Sequence, residues 1–229
     1  MIPEPPRIRS GKEISMETYL FGNEPAPNTL IQPVDSHDLE GIENEVRTIR
    51  ELTEADFQLI AVKVESWNRD LSPWKAPAVF GNEGFGDGAT EFLDEILKLC
   101  PDGRTCFIGG YSLAGLFALW AAYRTGRFAG TAAASPSVWF PGFPEFMRNN
   151  RIQTSAVYLS LGDREEKTRN PVMAAVGNRI REAEDILKNQ GVRCRLEWNP
   201  GNHFRDADIR TAKAFAWVLD NVLSGGNSL

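Results

Sequence analysis

The sequence predicts an α/β fold, a mainly parallel central sheet with helices on both faces, and three observations carry that prediction. Short β-prone runs alternate with amphipathic runs from residue 28 to residue 223, the order that builds one parallel sheet with crossover helices. Residues 57–64 (Phe-Gln-Leu-Ile-Ala-Val-Lys-Val) are almost continuously apolar, as a strand buried on both faces requires. Residues 105–124 pass from a β-prone stretch through two glycines and a serine straight into an apolar helical stretch. A strand-to-helix joint of that kind belongs at the carboxyl edge of a parallel sheet.

The elements follow in order. Residues 1–10 are proline-rich and are expected to form a flexible arm, as is the tail 224–229. An edge strand is expected at 14–20, and a strand at 28–34 that stops at Asp35-Ser36-His37-Asp38. Ile42, Val46, Ile49 and Leu52 recur at helical spacing. After the strand at 57–64 comes a loop rich in Trp, Pro and Gly, residues 65–88. Its glycine-rich part, 81–88, lacks the Gly-Lys-Ser/Thr of a phosphate loop and reads as a flexible loop. Phe92, Leu93, Ile96 and Leu97 mark the next helix, ahead of the strand and helix of the joint. Then come a strand of small residues at 130–135, a short helix around 143–149 and a strong strand at 156–161. Val172, Val176, Ile180, Ala183 and Leu187 keep helical period up to Gly191, a natural stop. A strand at 192–198 and a helix carrying Ile209, Ala212, Ala216, Leu219 and Leu223 complete the chain. No internal repeat or second boundary interrupts this order, so residues 1–229 read as one domain.

Bulk properties narrow the function classes. The chain has 229 residues, 42% of them hydrophobic, which is enough for one large core. Its net charge of −6 and lack of a basic cluster argue against nucleic acid and anionic membranes as partners. The N-terminal residues lack the basic-then-apolar pattern of a signal peptide. Cys100, Cys106 and Cys194 make an odd count without paired spacing, which points to free thiols and a reducing, cytoplasmic setting. Two histidines and three scattered cysteines give no metal-ligand spacing, and no cofactor fingerprint is present.

The chemistry concentrates at Ser112. Gly110 precedes it by two residues and Ala114 follows it by two, the Gly-x-Ser-x-Gly pattern of a nucleophile elbow with Ala in the last place. Small neighbours are needed because the strand and helix crowd together behind the serine. A strand–glycine–helix joint whose serine merely caps the helix has the same composition. A serine hydroxyl is a weak nucleophile without an adjacent base. Of the two histidines, His203 follows the last strand, at the same sheet edge as Ser112 and after it in the chain, as the order Ser, acid, His requires. The acid is expected after the strand at 156–161, where Asp163, Glu165 and Glu166 stand together; spacing alone does not choose among them. An oxyanion hole needs two backbone N–H groups. Leu113, next to the nucleophile, offers one, and the turn Asp35-Ser36-His37 offers the other through the His37 backbone. Trp67, Trp74, Trp139 and Phe140 are candidate pocket walls that suit core packing equally well.

With the elbow, the run Ser135-Pro136-Ser137-Val138-Trp139, the acidic turn and Gly201-Asn202-His203 in view, the chain resembles the esterase family of α/β-hydrolases that includes the esterase D type, the enterochelin esterases and the mycolyltransferases. The resemblance covers roughly residues 28–222. Residues 30–35 are similar to the family's strand ending in aspartate, and Asp70-Leu71-Ser72-Pro73 to its acidic-aromatic-x-Pro turn, with Leu71 in place of the aromatic. Ala114, Asn202 and Ser36 are further departures, bearing on the oxyanion loop and acyl pocket rather than on the reaction class. The resemblance implies an α/β-hydrolase fold and an ester hydrolase acting on a small-molecule carboxylic ester through Ser112 and His203. It favours Glu165, three residues past the strand-ending Gly162, as the acid. An acyltransferase with the same triad and a non-catalytic binding scaffold are the competing expectations.

Overall fold

The computed structural model describes residues 16–79 and 81–223, so the arm at 1–10, the tail at 224–229 and the first two residues of the edge strand expected at 14–20 lie outside the described residues. The strands β1 (Thr18–Gly22), β2 (Asn28–Val34), β3 (Phe57–Lys63), β4 (Thr105–Tyr111), β5 (Phe128–Ala134), β6 (Ala156–Gly162) and β7 (Arg193–Asn199) form one sheet in the order β1-β3-β2-β4-β5-β6-β7. Only β1 runs antiparallel.

The pleat divides the core in two, because successive side chains point to opposite faces. Ile31, Ile60, Val62, Ile108, Val157 and Leu159 face one layer. That layer is covered by α3 (Ala89–Lys98), α4 (Ser112–Arg124), α5 (Phe143–Asn149) and α7 (Val176–Asn189). Their neighbours Leu30, Leu59, Ala61, Phe107 and Tyr158 face the other layer, covered by α1 (Ser36–Leu52) and α8 (Ala207–Leu223). Helix α4 is buried nearly all round, which explains why its sequence is apolar without a polar stripe. The edge strand β7 is half exposed, and charged side chains accompany it: Arg195 pairs with Glu197 at 2.9 Å and Lys213 with Glu197 at 2.8 Å. Charge on an edge discourages pairing with another chain.

Two expectations change. The segment 65–88 is not a plain loop, since it contains α2 (Trp67–Asp70) and a bridge between Ala76 and Phe85. Its glycine-rich part packs on α2: Gly86 N donates to Asn68 O at 2.9 Å and Gly88 N to Arg69 O at 2.9 Å. A Cβ at Gly86 would lie 2.7 Å from Arg69 Cγ, so glycine here serves close approach. The helix expected from Val172 is split into α6 (Pro171–Ala174) and α7. Asn170 caps α6, its side chain accepting from Val172 N at 3.0 Å and Met173 N at 3.3 Å.

Candidate active site

The joint between β4 and α4 places Ser112 at φ +57°, a left-handed conformation uncommon for a residue with a Cβ. Such strain persists only where surroundings hold it, and here small residues do. A Cβ at Gly110 would lie 2.7 Å from the Ala114 Cβ, and one at Gly115 3.0 Å from Gly110 O and 3.1 Å from Ala134 O. Ala114 therefore fits because Gly110 has no side chain. The run after β5 turns beneath the serine, with Ser135 at φ +41°. Ser137 N donates to Ser112 O at 3.0 Å, and the two hydroxyl oxygens are 3.4 Å apart.

His203 Nε2 lies 3.0 Å from Ser112 Oγ, and His203 Nδ1 lies 2.7 Å from Glu165 Oε2. The Glu165 side chain is 5% exposed and its second oxygen is fully used. Oε1 accepts from Gly162 N at 2.6 Å, Ser135 Oγ at 2.8 Å and Arg210 Nη1 at 3.0 Å. Glu165 can fold back this way because Gly162 has no Cβ to meet Oε1 and Gly201 O. The neighbouring carboxylates are committed elsewhere. Asp163 Oδ1 accepts from Gly201 N at 2.8 Å, and Glu166 lies 3.6 Å from Arg181 Nη1.

Sequence reasoning missed the partners behind this chain of bonds. Arg210, 1% exposed on α8, donates to Glu165, to Tyr111 OH at 3.0 Å, and to the carbonyls of Pro200 and Asn202 at 3.1 and 3.0 Å. Tyr111 OH in turn donates to His203 O at 2.7 Å. Burial, helped by the Glu165 charge, pushes the Tyr111 phenol up to about 12, so it is a donor at neutral pH. The signal for Arg210 was present. It shares a helical face with Ala214, Phe215 and Val218, all buried, and a charge in such a stripe implies a buried partner.

Ser112, His203 and Glu165 open on a cavity of about 450 Å³. Trp67, Phe85, Trp139, Met173, Val176 and Phe204 wall it, and among the described residues no Lys or Arg lines it. Leu113 lines it too, and its N–H belongs to the first turn of α4, where N–H groups lack helical acceptors.

Three expected site residues are elsewhere. Phe140 is fully buried, and Trp74 donates Nε1 to Pro141 O at 2.9 Å while packing on Phe140 and Phe143. Phe140 is core and Trp74 is half-buried against it, and Phe140 supports the cavity only from behind, 5.1 Å from Phe85. His37 is not on the lining of the Ser112 cavity. Helix α1 starts immediately after β2 in a reciprocal cap, Asp38 N donating to Asp35 Oδ1 at 2.8 Å and Asp35 N to Asp38 Oδ2 at 3.1 Å. That cap leaves no extended loop to bring His37 to the serine, and its ring stands exposed 3.6 Å from Glu40.

No protein-family model matches the chain, and no curated protein matches it in sequence. Solved structures do. A siderophore hydrolase from Aspergillus nidulans superposes with a TM-score of 0.65 at 19% identity, covering 94% of this chain and 93% of that one. An IroE-like serine hydrolase from Shewanella oneidensis gives 0.68 at 16% identity, covering 93% and 78%. The enterobactin esterase of Shigella flexneri gives 0.66 at 14% identity, covering 96% and 61%. With a parallel seven-stranded sheet whose antiparallel strand is at one edge, and with these neighbours, the chain has the α/β-hydrolase fold.

Proposed function

We propose that the protein is a serine ester hydrolase acting on small-molecule carboxylic esters. Ser112 Oγ attacks the ester carbonyl while His203 Nε2 takes its proton. The tetrahedral intermediate collapses to an acyl-enzyme, and His203 returns the proton to the departing alcohol. Water, deprotonated by His203, then attacks the acyl-enzyme, and His203 returns that proton to the departing Ser112 Oγ as the acid is released. Glu165 holds the imidazole in one tautomer and stabilises its cation, and the Leu113 N–H faces the developing alkoxide.

One observation carries the reading. The hydrogen-bond chain from Ser112 Oγ through both His203 nitrogens to a buried carboxylate has bonds of 3.0 and 2.7 Å, at a serine whose strained backbone has no packing role that a glycine would not fill better. The apolar walls supply a water-poor site, in which the oriented N–H group and the imidazolium act more strongly on the transition state. Two structural neighbours, a siderophore hydrolase and an enterobactin esterase, are in keeping with ester cleavage. Cys100, Cys106 and Cys194 are all free, which fits a reducing cytoplasm. Ser112→Ala is expected to lower kcat on an aryl ester by about 10⁴–10⁶ and to abolish fluorophosphonate labelling. A variant that keeps wild-type turnover removes the assignment.

A further inference from the structure

An oxyanion hole takes more than one donor, and the sheet order says from which side a partner for the Leu113 N–H can come. From β4, which ends at Ser112, strands β5, β6 and β7 follow in one direction and β2 and β3 in the other. Ser135 and Ser137 follow β5, Glu165 follows β6 and His203 follows β7, so the groups that handle the proton approach from one side. The departing alcohol faces His203, which leaves the oxyanion to the other. The Ser112–Leu113 peptide agrees. Its carbonyl accepts from Ser137 N at 3.0 Å, on the β5 side, and a trans peptide points its N–H the opposite way.

On the β2 and β3 side, β2 runs straight into the α1 cap and sends no loop to the serine. The segment after β3 does reach it: Trp67 and Asn68 of α2, and Phe85, line the cavity together with Ser112 and Leu113. Of these three, Asn68 carries a neutral amide, with two N–H groups to donate. Its backbone is fixed from both directions, Asn68 O accepting from Gly86 N at 2.9 Å and the turn being closed by Ser66 N donating to Asp70 Oδ2 at 3.0 Å. The polar groups across the cavity are already engaged with the triad. Ser135 Oγ donates to Glu165 at 2.8 Å, and Ser137 Oγ lies 3.4 Å from Ser112 Oγ.

We propose that the Asn68 side chain is the second oxyanion donor, its Nδ2–H meeting the developing alkoxide opposite the Leu113 N–H, and hence a catalytic residue. The role rests on the ester-hydrolase reading. A donor aimed at charge that forms only in the transition state acts on kcat and leaves KM nearly alone.

The test uses Asn68→Ala and the isosteric Asn68→Asp, which keeps the side-chain shape and removes the donor. Each is expected to lower kcat on an aryl butyrate by about 10²–10³ with KM little changed. Butylboronic acid supplies a readout that a disturbed wall would not move. Ser112 Oγ adds to boron, His203 takes the proton, and the negatively charged adduct places an oxygen where the alkoxide would be. Its affinity should fall in both variants roughly in parallel with kcat/KM. Turnover within about threefold of wild type in both variants overturns the role while the hydrolase reading stands. So does a rise in KM at unchanged kcat, or a loss of kcat with boronate affinity unmoved. Wild-type protein that cleaves no ester and takes no fluorophosphonate overturns the hydrolase reading, and this role with it.

Discussion

Glu165 joins the two halves of the site, one oxygen on His203 and the other on Gly162 N, Ser135 Oγ and Arg210. A carboxylate with both oxygens fixed can hold an imidazole in one orientation without swinging to solvent. Glu165→Gln is therefore expected to depress kcat by about 10²–10⁴ with little change in KM, because the amide cannot stabilise the imidazolium. Asp163→Asn and Glu166→Gln should do much less, since those side chains serve Gly201 N and Arg181. Steady-state kinetics on the three variants checks this, and a larger loss at Glu166 would move the acid to that residue. Spacing along the chain left these three carboxylates equivalent. What separates them in space is Gly162, whose missing Cβ admits the Glu165 carboxylate, together with a loop from the far end of the chain.

Helix α8 covers one face of the sheet with Ala214, Phe215 and Val218, and through Arg210 it also reaches the site. That guanidinium spans Glu165, the Tyr111 phenol and two carbonyls of the loop bearing His203. In the proposed mechanism Arg210 is thus a positioning residue: it would fix Glu165 and His203 relative to each other from outside the reacting atoms. Arg210→Met should cost about 3–5 kcal/mol of stability, as breaking a buried pair leaves one charge uncompensated. Urea unfolding measures that loss. A merely structural role would stop there; the positioning role also predicts a fall in kcat on the folded variant with KM little changed. Arg210→Lys should restore little, because an ammonium lacks the planar fork that meets several acceptors at once. Helical period made α8 legible as an element. The segment 65–88 was not, because α2 is a single turn held by the glycines packed against it, too short to show a period.

The α1 and α8 layer carries a pH dependence for the whole molecule. Burial and the neighbouring Asp35 raise the Asp38 carboxyl from 3.8 to about 6, and burial raises Glu45 well above 4.5. Both groups hold their protons more tightly folded than unfolded, so across that window the native state binds more protons. Stability then falls as pH rises from about 4 through 6 and beyond. Glu45→Gln, neutral at every pH and able to pair with Gln32, is expected to flatten that fall and to raise the urea midpoint at pH 8. Unfolding curves at pH 5 and pH 8 check it, and an unchanged difference between the two would contradict it. No helix among the described residues is long and apolar enough to cross a membrane.

The amino-acid sequence by itself determined the alternation of strands and helices, the buried strand at β3, the serine in its small-residue turn and the histidine beyond the last strand. These are local facts: a period, a run, or a residue type beside a turn. Tertiary structure alone decided which carboxylate meets His203, that Phe140 belongs to the core with Trp74 half-buried against it while Trp67 and Trp139 line the cavity, and that His37 lies off that cavity. It also decided that Arg210 is buried in the site. Each of these depends on contacts between segments tens of residues apart, Glu165 with His203 at a separation of 38 and Arg210 with Tyr111 at 99. Such contacts follow from strand order and from which helix covers which face of the sheet, and a residue's sequence neighbours carry no record of either.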